Sequence, residues 1–251
     1  MTSTGGREVR AYPDLEALSA AAAESIVGLA RESVGERGRF SIALAGGNTP
    51  KRTYRLLVGR HRDEIEWPSW RILFGDERFV PWDDDRSNFK MACDTLLADA
   101  PIPKDHVHPV PTRTPTAGGA ADAYEQTLRR VLAGSAAEQG AIDLVLLGVG
   151  PDGHTASLFP GSPALAEQTR WACAVDAPTT VQPAVPRVTL TLPILNAARN
   201  VIFLVAGSDK RPVIAEILRG AETARRYPAA MVSGAGSTLW MIEQSAMPQP
   251  A

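Results

Sequence analysis

Short apolar runs alternate with longer stretches of helical spacing along most of the chain. Leu15, Leu18, Ala22, Ile26 and Leu29 recur at helical intervals after Pro13-Asp14, and Gly35 and Gly38 close that segment. Phe40–Ala45 then reads as a strand buried on both faces. It is followed by the turn Gly46-Gly47-Asn48-Thr49 and a helix from Lys51 to about Val58, with Thr49 as N-cap and Pro50 in the first turn. The pattern predicts a further strand at Trp70–Phe74, a helix over Asn88–Ala98 offering Met91, Leu96 and Leu97 for burial, and an amphipathic helix over Ala120–Leu132. Between the two helices, Pro101–Pro115 holds five prolines and reads as a surface connection. Ile142–Leu147 is an apolar strand ending in Gly148-Val149-Gly150-Pro151-Asp152-Gly153-His154. Beyond it the pattern predicts a short strand at Trp171–Val175, a structured loop over Asp176–Pro186, β-like alternation at Arg187–Leu192 and a helix at Ile194–Ala198. A buried strand at Val201–Val205 and helices at Arg211–Arg219 and Leu239–Ser245 complete the reading.

Strands separated by helices imply an α/β fold: an open, mainly parallel, doubly wound sheet with helices on both faces and room for a small accessory subdomain. The rhythm continues throughout, so residues 1–251 read as one domain, with the first ten or so and the last five or so residues peripheral. In such sheets ligands bind outside the carboxyl ends of the strands. Four strand ends carry the chemically unusual residues, Gly46–Thr49, Asp76–Arg78, Gly150–His154 and Gly207–Lys210, and the topology places all four on one sheet edge. A single composite site follows.

Composition narrows the partners. With an apolar share of 44% and a net charge of −2, the chain suits a globular core and has no general attraction for nucleic acid or anionic membrane. No segment is long and apolar enough to span a bilayer, and the first residues lack the apolar centre of a secretory signal. The two cysteines, Cys93 and Cys173, lie far apart and read as thiols in a cytoplasmic protein.

The turn Gly46-Gly47-Asn48-Thr49 sits between a strand and a helix N-terminus, where free N–H groups favour an anion, although a ligand-free βα turn also uses glycines. It does not fit the GxxxxGK[ST] pattern of nucleoside triphosphate sites. Lys210 and Arg187, at strand boundaries, could add charge to the same anion, or could be solvated surface groups. Asp76 and Glu77 form an acid pair beside Arg78, suited either to proton transfer with oxyanion stabilisation or to a local ion pair closing a turn. Asp83-Asp84-Asp85 reads as a solvated turn rather than a metal site. His154 is the candidate base: its ordinary pKa lies near neutrality, and Asp152, two positions earlier, could orient its ring. Gly148, Gly150 and Gly153 miss the spacing of a dinucleotide fingerprint.

Taken together, ALAGGNTP, FGDERFVPWDDDRSN, LGVGPDGHTASLFPGSP and VPRVTLTLPILNAA resemble the 6-phosphogluconolactonase family from about Ser41 to Trp240. The related glucosamine-6-phosphate deaminases share the glycine loop, the acid pair and a GxGxDGH turn. DERFVP and DGHTASLFPGSP depart from the deaminase pattern and favour the lactonase. The resemblance implies hydrolysis of a sugar-phosphate lactone, 6-phospho-D-glucono-1,5-lactone, with no metal or organic cofactor. It implies His154 as general base held by Asp152, and Arg78 with a backbone N–H on the oxyanion. Gly46, Gly47, Asn48, Thr49, Arg187 and Lys210 would hold the 6-phosphate, while the parts played by Asp76 and Glu77 stay open. A monomer or weak homo-oligomer is expected. The alternatives are a sugar-phosphate isomerase or deaminase, with Asp76 as base, and a non-catalytic sugar-phosphate-binding protein.

Overall fold

The computed structural model of the protein describes residues 7–133, 140–179, 181–220, 224 and 226–248. The outermost residues expected to be peripheral, and Thr180 of the Asp176–Pro186 loop, lie outside the described residues. Six parallel strands form the main sheet: β1 (Arg7–Tyr12), β2 (Phe40–Leu44), β3 (Trp70–Phe74), β5 (Leu144–Leu147), β8 (Asn200–Val205) and β9 (Ser237–Glu243), in the order β1-β9-β8-β5-β2-β3. β4 (Asp76–Arg78), β6 (Ala172–Val175) and β7 (Arg187–Leu190) form a separate, smaller antiparallel sheet in the order β4-β7-β6. Every residue of β2 and β5 is buried, so both faces of the central strands are covered and their sequences show no polar alternation.

Helix α1 (Leu15–Arg37) begins where the Asp14 carboxylate accepts from Ala17 N–H at 2.8 Å, and ends at Gly38. It buries Leu18, Ala22, Ile26 and Ala30 and packs on α2 (Thr49–Gly59). Asn48 is the residue preceding α2, so the cap lies one position earlier than the expected Thr49. Helix α3 (Asn88–Ala92) continues as a π turn over Cys93–Leu97, and α4 (Ala117–Val131) covers β6 and β7. From α4, the Tyr124 hydroxyl accepts from Phe74 N–H at 2.7 Å and donates to Phe74 O at 2.9 Å, satisfying the end of edge strand β3. Helices α5 (Leu192–Ala197), α6 (Arg211–Arg219) and α7 (Pro228–Met231) complete the chain.

Two further sequence expectations fail. The segment expected to be a helix at Leu239–Ser245 is β9, paired on both sides, and Thr238 to Ile242 are all buried. Its Thr, Trp and Ile content fits a pleated surface, and a five-residue run cannot separate the two periods. The polar lead contains β1, an edge strand whose exposed Arg7, Glu8 and Arg10 suit an unpaired margin. The winding reverses between β2, which passes through α2 to β3 on one side, and β5, which leads to β8 and β9 on the other. Ligand crevices of open α/β sheets occur at such a switch point.

Candidate active site

At the carboxyl ends of β2, β3, β5 and β8 lies a cleft of about 270 Å³. Its lining includes Gly46, Gly47, Asn48, Thr49, Asp76, Arg78, His154, Arg187 and Lys210, so nine of the eleven candidate residues come together there. Asp152 reaches the cleft through His154, and Glu77 does not line it.

The glycine loop is fixed from below and from the side. Tyr54 of α2 donates its hydroxyl proton to Ala45 O at 2.9 Å, holding the end of β2. A methyl group on Gly46 would stand 2.1 Å from Asn88 Oδ1, so this position requires glycine for close approach. The opening of α2 then presents amide groups of the loop to the cleft. Lys210, on the short helical turn after β8, adds its ammonium, 3.3 Å from both oxygens of Asp209.

The turn after β5 is closed by Gly153 N–H to Gly150 O and Gly150 N–H to His154 O, both at 2.9 Å, and by the Thr155 hydroxyl to Gly148 O at 2.8 Å. This folding brings His154 Nδ1 within 2.5 Å of Asp152 Oδ1. A carboxylate only accepts, so the proton between them belongs to Nδ1, and Nε2 carries the lone pair of the neutral ring. Burial pushes the Asp152 carboxyl up, but the hydrogen bond and charge of His154 outweigh it and hold the group below its ordinary pKa. The imidazole packs on Phe159, ring centres 4.8 Å apart. Gly150 lies directly under the pair: a Cβ there would stand 2.1 Å from the imidazole and 2.7 Å from the carboxylate.

Arg78 and Arg187 are cross-strand partners in β4 and β7, which puts both guanidinium groups on one face of the small sheet. Arg78 donates to Arg86 O at 2.7 Å and Arg187 to Pro183 O at 3.0 Å, yet the Nε–H of each is buried without an acceptor. Two cross-strand cations with spare donors give the cleft the chemistry to receive an anion. Burial lowers the Arg187 pKa, with Asp76 opposing and Arg78 reinforcing that shift. Asp76 is engaged on both oxygens: it accepts from Ser157 Oγ at 2.6 Å and from Asn88 Nδ2 at 3.0 Å, and Arg187 lies 4.0 Å away.

Glu77 faces away from the cleft. Its carboxylate accepts from the amides of Arg78, Asn88 and Phe89 at 2.7, 2.7 and 2.8 Å and from Ser87 Oγ at 3.1 Å, tying β4 to the start of α3. Burial pushes its pKa up to about 7, while the three amide bonds pull the other way. Glu77→Gln is expected to turn an NH2 group against these donors and cost about 1–3 kcal/mol of stability, read from thermal unfolding. The aspartate run forms surface contacts: Asp84 pairs with Arg86 at 2.7 Å and Asp85 lies 3.4 Å from Lys90. Among the described residues no cluster of three or more His, Cys, Asp or Glu is placed to hold a metal, and no helix is long and apolar enough to cross a membrane. Sequence reasoning missed Asn88, Ser157 and Thr189, which position Asp76 and the turn after His154. Their signal is contact across the fold, which local spacing does not carry.

Comparison with known proteins gives an independent line. The sequence profile described as glucosamine-6-phosphate isomerases/6-phosphogluconolactonase matches residues 13–240. The chain is 39% identical over 241 residues to the 6-phosphogluconolactonase of Mycobacterium tuberculosis, covering 95% of this chain and 96% of that one. It is 38% identical over 215 residues to the Synechocystis 6-phosphogluconolactonase, covering 86% of each. Among solved structures, the 6-phosphogluconolactonase of Trypanosoma brucei superposes with a TM-score of 0.83 at 35% identity, covering 97% of this chain and 98% of that one. A monomeric glucosamine-6-phosphate deaminase superposes with a TM-score of 0.80 at 20% identity, covering 95% and 98%, a likeness of fold alone.

Proposed function

Because this chain belongs to the glucosamine-6-phosphate isomerase/6-phosphogluconolactonase family, we propose that it hydrolyses 6-phospho-D-glucono-1,5-lactone to 6-phosphogluconate, the lactone-opening step of the oxidative pentose phosphate pathway. The observation that carries this reading is the Asp152–His154 pair, with Nδ1 engaged and Nε2 free in a cleft that also holds two guanidinium groups. In the proposed reaction, Nε2 takes a proton from water as its oxygen bonds to the lactone carbonyl carbon. The carbonyl electron pair moves to oxygen, where Arg78 meets the developing charge. Collapse of this intermediate breaks the bond to the ring oxygen, which takes the proton from the imidazolium. Asp152 holds the ring and stabilises its charged form.

The amides of Gly46, Gly47, Asn48 and Thr49, with Lys210 and Arg187, hold the 6-phosphate. Binding energy at that remote group then serves to position the carbonyl. Asp76 is assigned no proton-transfer role in this arrangement, because both its oxygens already accept from Ser157 and Asn88. Glu77 acts as scaffold. Gly150→Ala is expected to displace the His154–Asp152 pair and lower kcat about 10²-fold while the chain remains folded, as followed by circular dichroism beside a kinetic assay.

The reading also takes the protein to act in the cytoplasm as a monomer or weak homo-oligomer. Burial pushes the Cys173 thiol up to about 11, which keeps it protonated near neutral pH. A coupled assay with freshly generated lactone, at a pH where spontaneous ring opening is slow, tests the activity. Turnover well above background with no ammonia released from glucosamine 6-phosphate is expected; ammonia release without lactone turnover would move the chain to the deaminase side of its family.

A further inference from the structure

Ala156 has a φ of +49° and is the one non-glycine residue among the described residues with a positive φ. Holding an alanine in this conformation is strained, and such strain collects at functional sites. The residue lines the cleft two positions after His154. It sits in a turn where Leu158 N–H donates to Thr155 O at 2.9 Å and Thr155 N–H approaches Leu158 O at 3.4 Å. The other amides around it are engaged: Gly153 with Gly150 O, His154 with the Asp152 carboxylate at 3.1 Å, Ser157 with the Thr189 hydroxyl at 3.1 Å. The Ala156 N–H has no acceptor among the described residues.

Ala156 is half-buried and lines the cleft, and an amide without a protein acceptor in such a place is costly unless water or a ligand engages it. Next to it, Ser157 Oγ is tied to Asp76 at 2.6 Å, so the turn is fixed from the side of the small sheet as well as by its own bonds. A fixed donor beside a general base is the arrangement that stabilises charge without reorganisation. We propose that the Ala156 N–H is an oxyanion donor for the tetrahedral intermediate, complementing Arg78; this rests on the lactone-hydrolysis reading above. As the water oxygen bonds to the carbonyl carbon and His154 takes its proton, the carbonyl electron pair moves onto the oxygen that this N–H meets. When the bond to the ring oxygen breaks, the pair returns and the donor is released.

The test deletes the N–H alone. Replacing Ala156 by L-lactate through nonsense suppression keeps the methyl group and converts the amide to an ester. It also weakens Thr155 O as the acceptor of Leu158 N–H, so the control replaces Leu158 by its hydroxy acid, which removes the same bond from its other side. The lactate chain is expected to lose about 10²–10³-fold in kcat with 6-phosphogluconate affinity retained, and the control to lose far less. A kcat within about threefold of wild type, or an equal loss in the control, overturns the assignment. Should the ester chain fail to fold, the wild-type chain labelled with 15N-alanine gives a second readout. The Ala156 amide proton is expected to shift downfield on binding 6-phosphogluconate, and an unmoved resonance overturns the proposal. A wild-type chain that lacks lactone turnover fails at the earlier reading, an outcome visible before either variant is made.

Discussion

Replacing His154 by alanine is expected to lower kcat for lactone hydrolysis by about 10²–10⁴-fold and to leave KM within a small factor of wild type. The loss corresponds to about 3–5.5 kcal/mol of transition-state stabilisation. It falls on kcat because, in the proposed mechanism, the imidazole removes a proton as the new bond forms, whereas substrate binding is assigned to the glycine loop, Arg187 and Lys210. The direction follows from occupancy: His154 Nδ1 is committed to Asp152 at 2.5 Å, leaving Nε2 for water. Asp76, the rival base, has both oxygens occupied: it accepts from Ser157 at 2.6 Å and from Asn88 at 3.0 Å, with Arg187 4.0 Å away. Steady-state kinetics against the spontaneous rate, with 6-phosphogluconate binding measured in parallel, decides the matter. An unaltered kcat in the His154 variant, with a collapse in Asp76→Asn, would transfer the base role to Asp76.

Arg187→Ala is expected to act on stability and on KM together. The side chain is 2% exposed and is the counter-charge nearest to Asp76, whose carboxylate is also buried. Its guanidinium also stands over the Phe159 ring at 5.5 Å, and Phe159 packs on His154. Removing one partner of a buried pair leaves the other charge uncompensated, a loss of about 3–5 kcal/mol. The lower end applies because Asp76 keeps its bonds to Ser157 and Asn88. For a chain of this length about 3 kcal/mol lowers Tm by roughly 6–12 °C. Arg187 lines the cleft and its Nε–H is buried without an acceptor, so under the proposed phosphate-binding role substrate affinity is expected to fall as well. Arg187→Lys restores charge but not the forked donors, and is expected to recover less of KM than of Tm. Calorimetry and kinetics on both variants check this. A large fall in kcat with unchanged KM would place Arg187 at the reacting end of the substrate.

Much of the site was legible before the fold was known, for a physical reason. In a parallel sheet, residues that follow apolar strands arrive on one edge, so Gly46–Thr49, Asp76–Arg78, His154 and Lys210 could be grouped without any long-range contact. Their division of labour was less legible. Asp76 and Glu77 are neighbours in sequence, yet alternation along β4 sends one side chain into the cleft and the other behind it. Nothing local distinguishes them, because β4 has three residues and its partner β7 comes far later in the chain. Strand β9 was misread for a related reason: Leu239 to Ile242 suit either period, and pairing with β8 and β1 decides the outcome. Ala156 carried no signal at all, since an alanine in the left-handed region is recognised only from coordinates.

The central claim is an orientation, with the phosphate held by the glycine loop and the carboxyl carbon delivered to His154. A crystal structure of the chain with 6-phosphogluconate measures it directly. The expected result is the phosphate among the amides of Gly47 to Thr49, Lys210 and Arg187, and the C1 carboxylate within about 2.6–3.2 Å of His154 Nε2. The reverse, with the phosphate against His154 and the C1 carboxylate in the glycine loop, would contradict it.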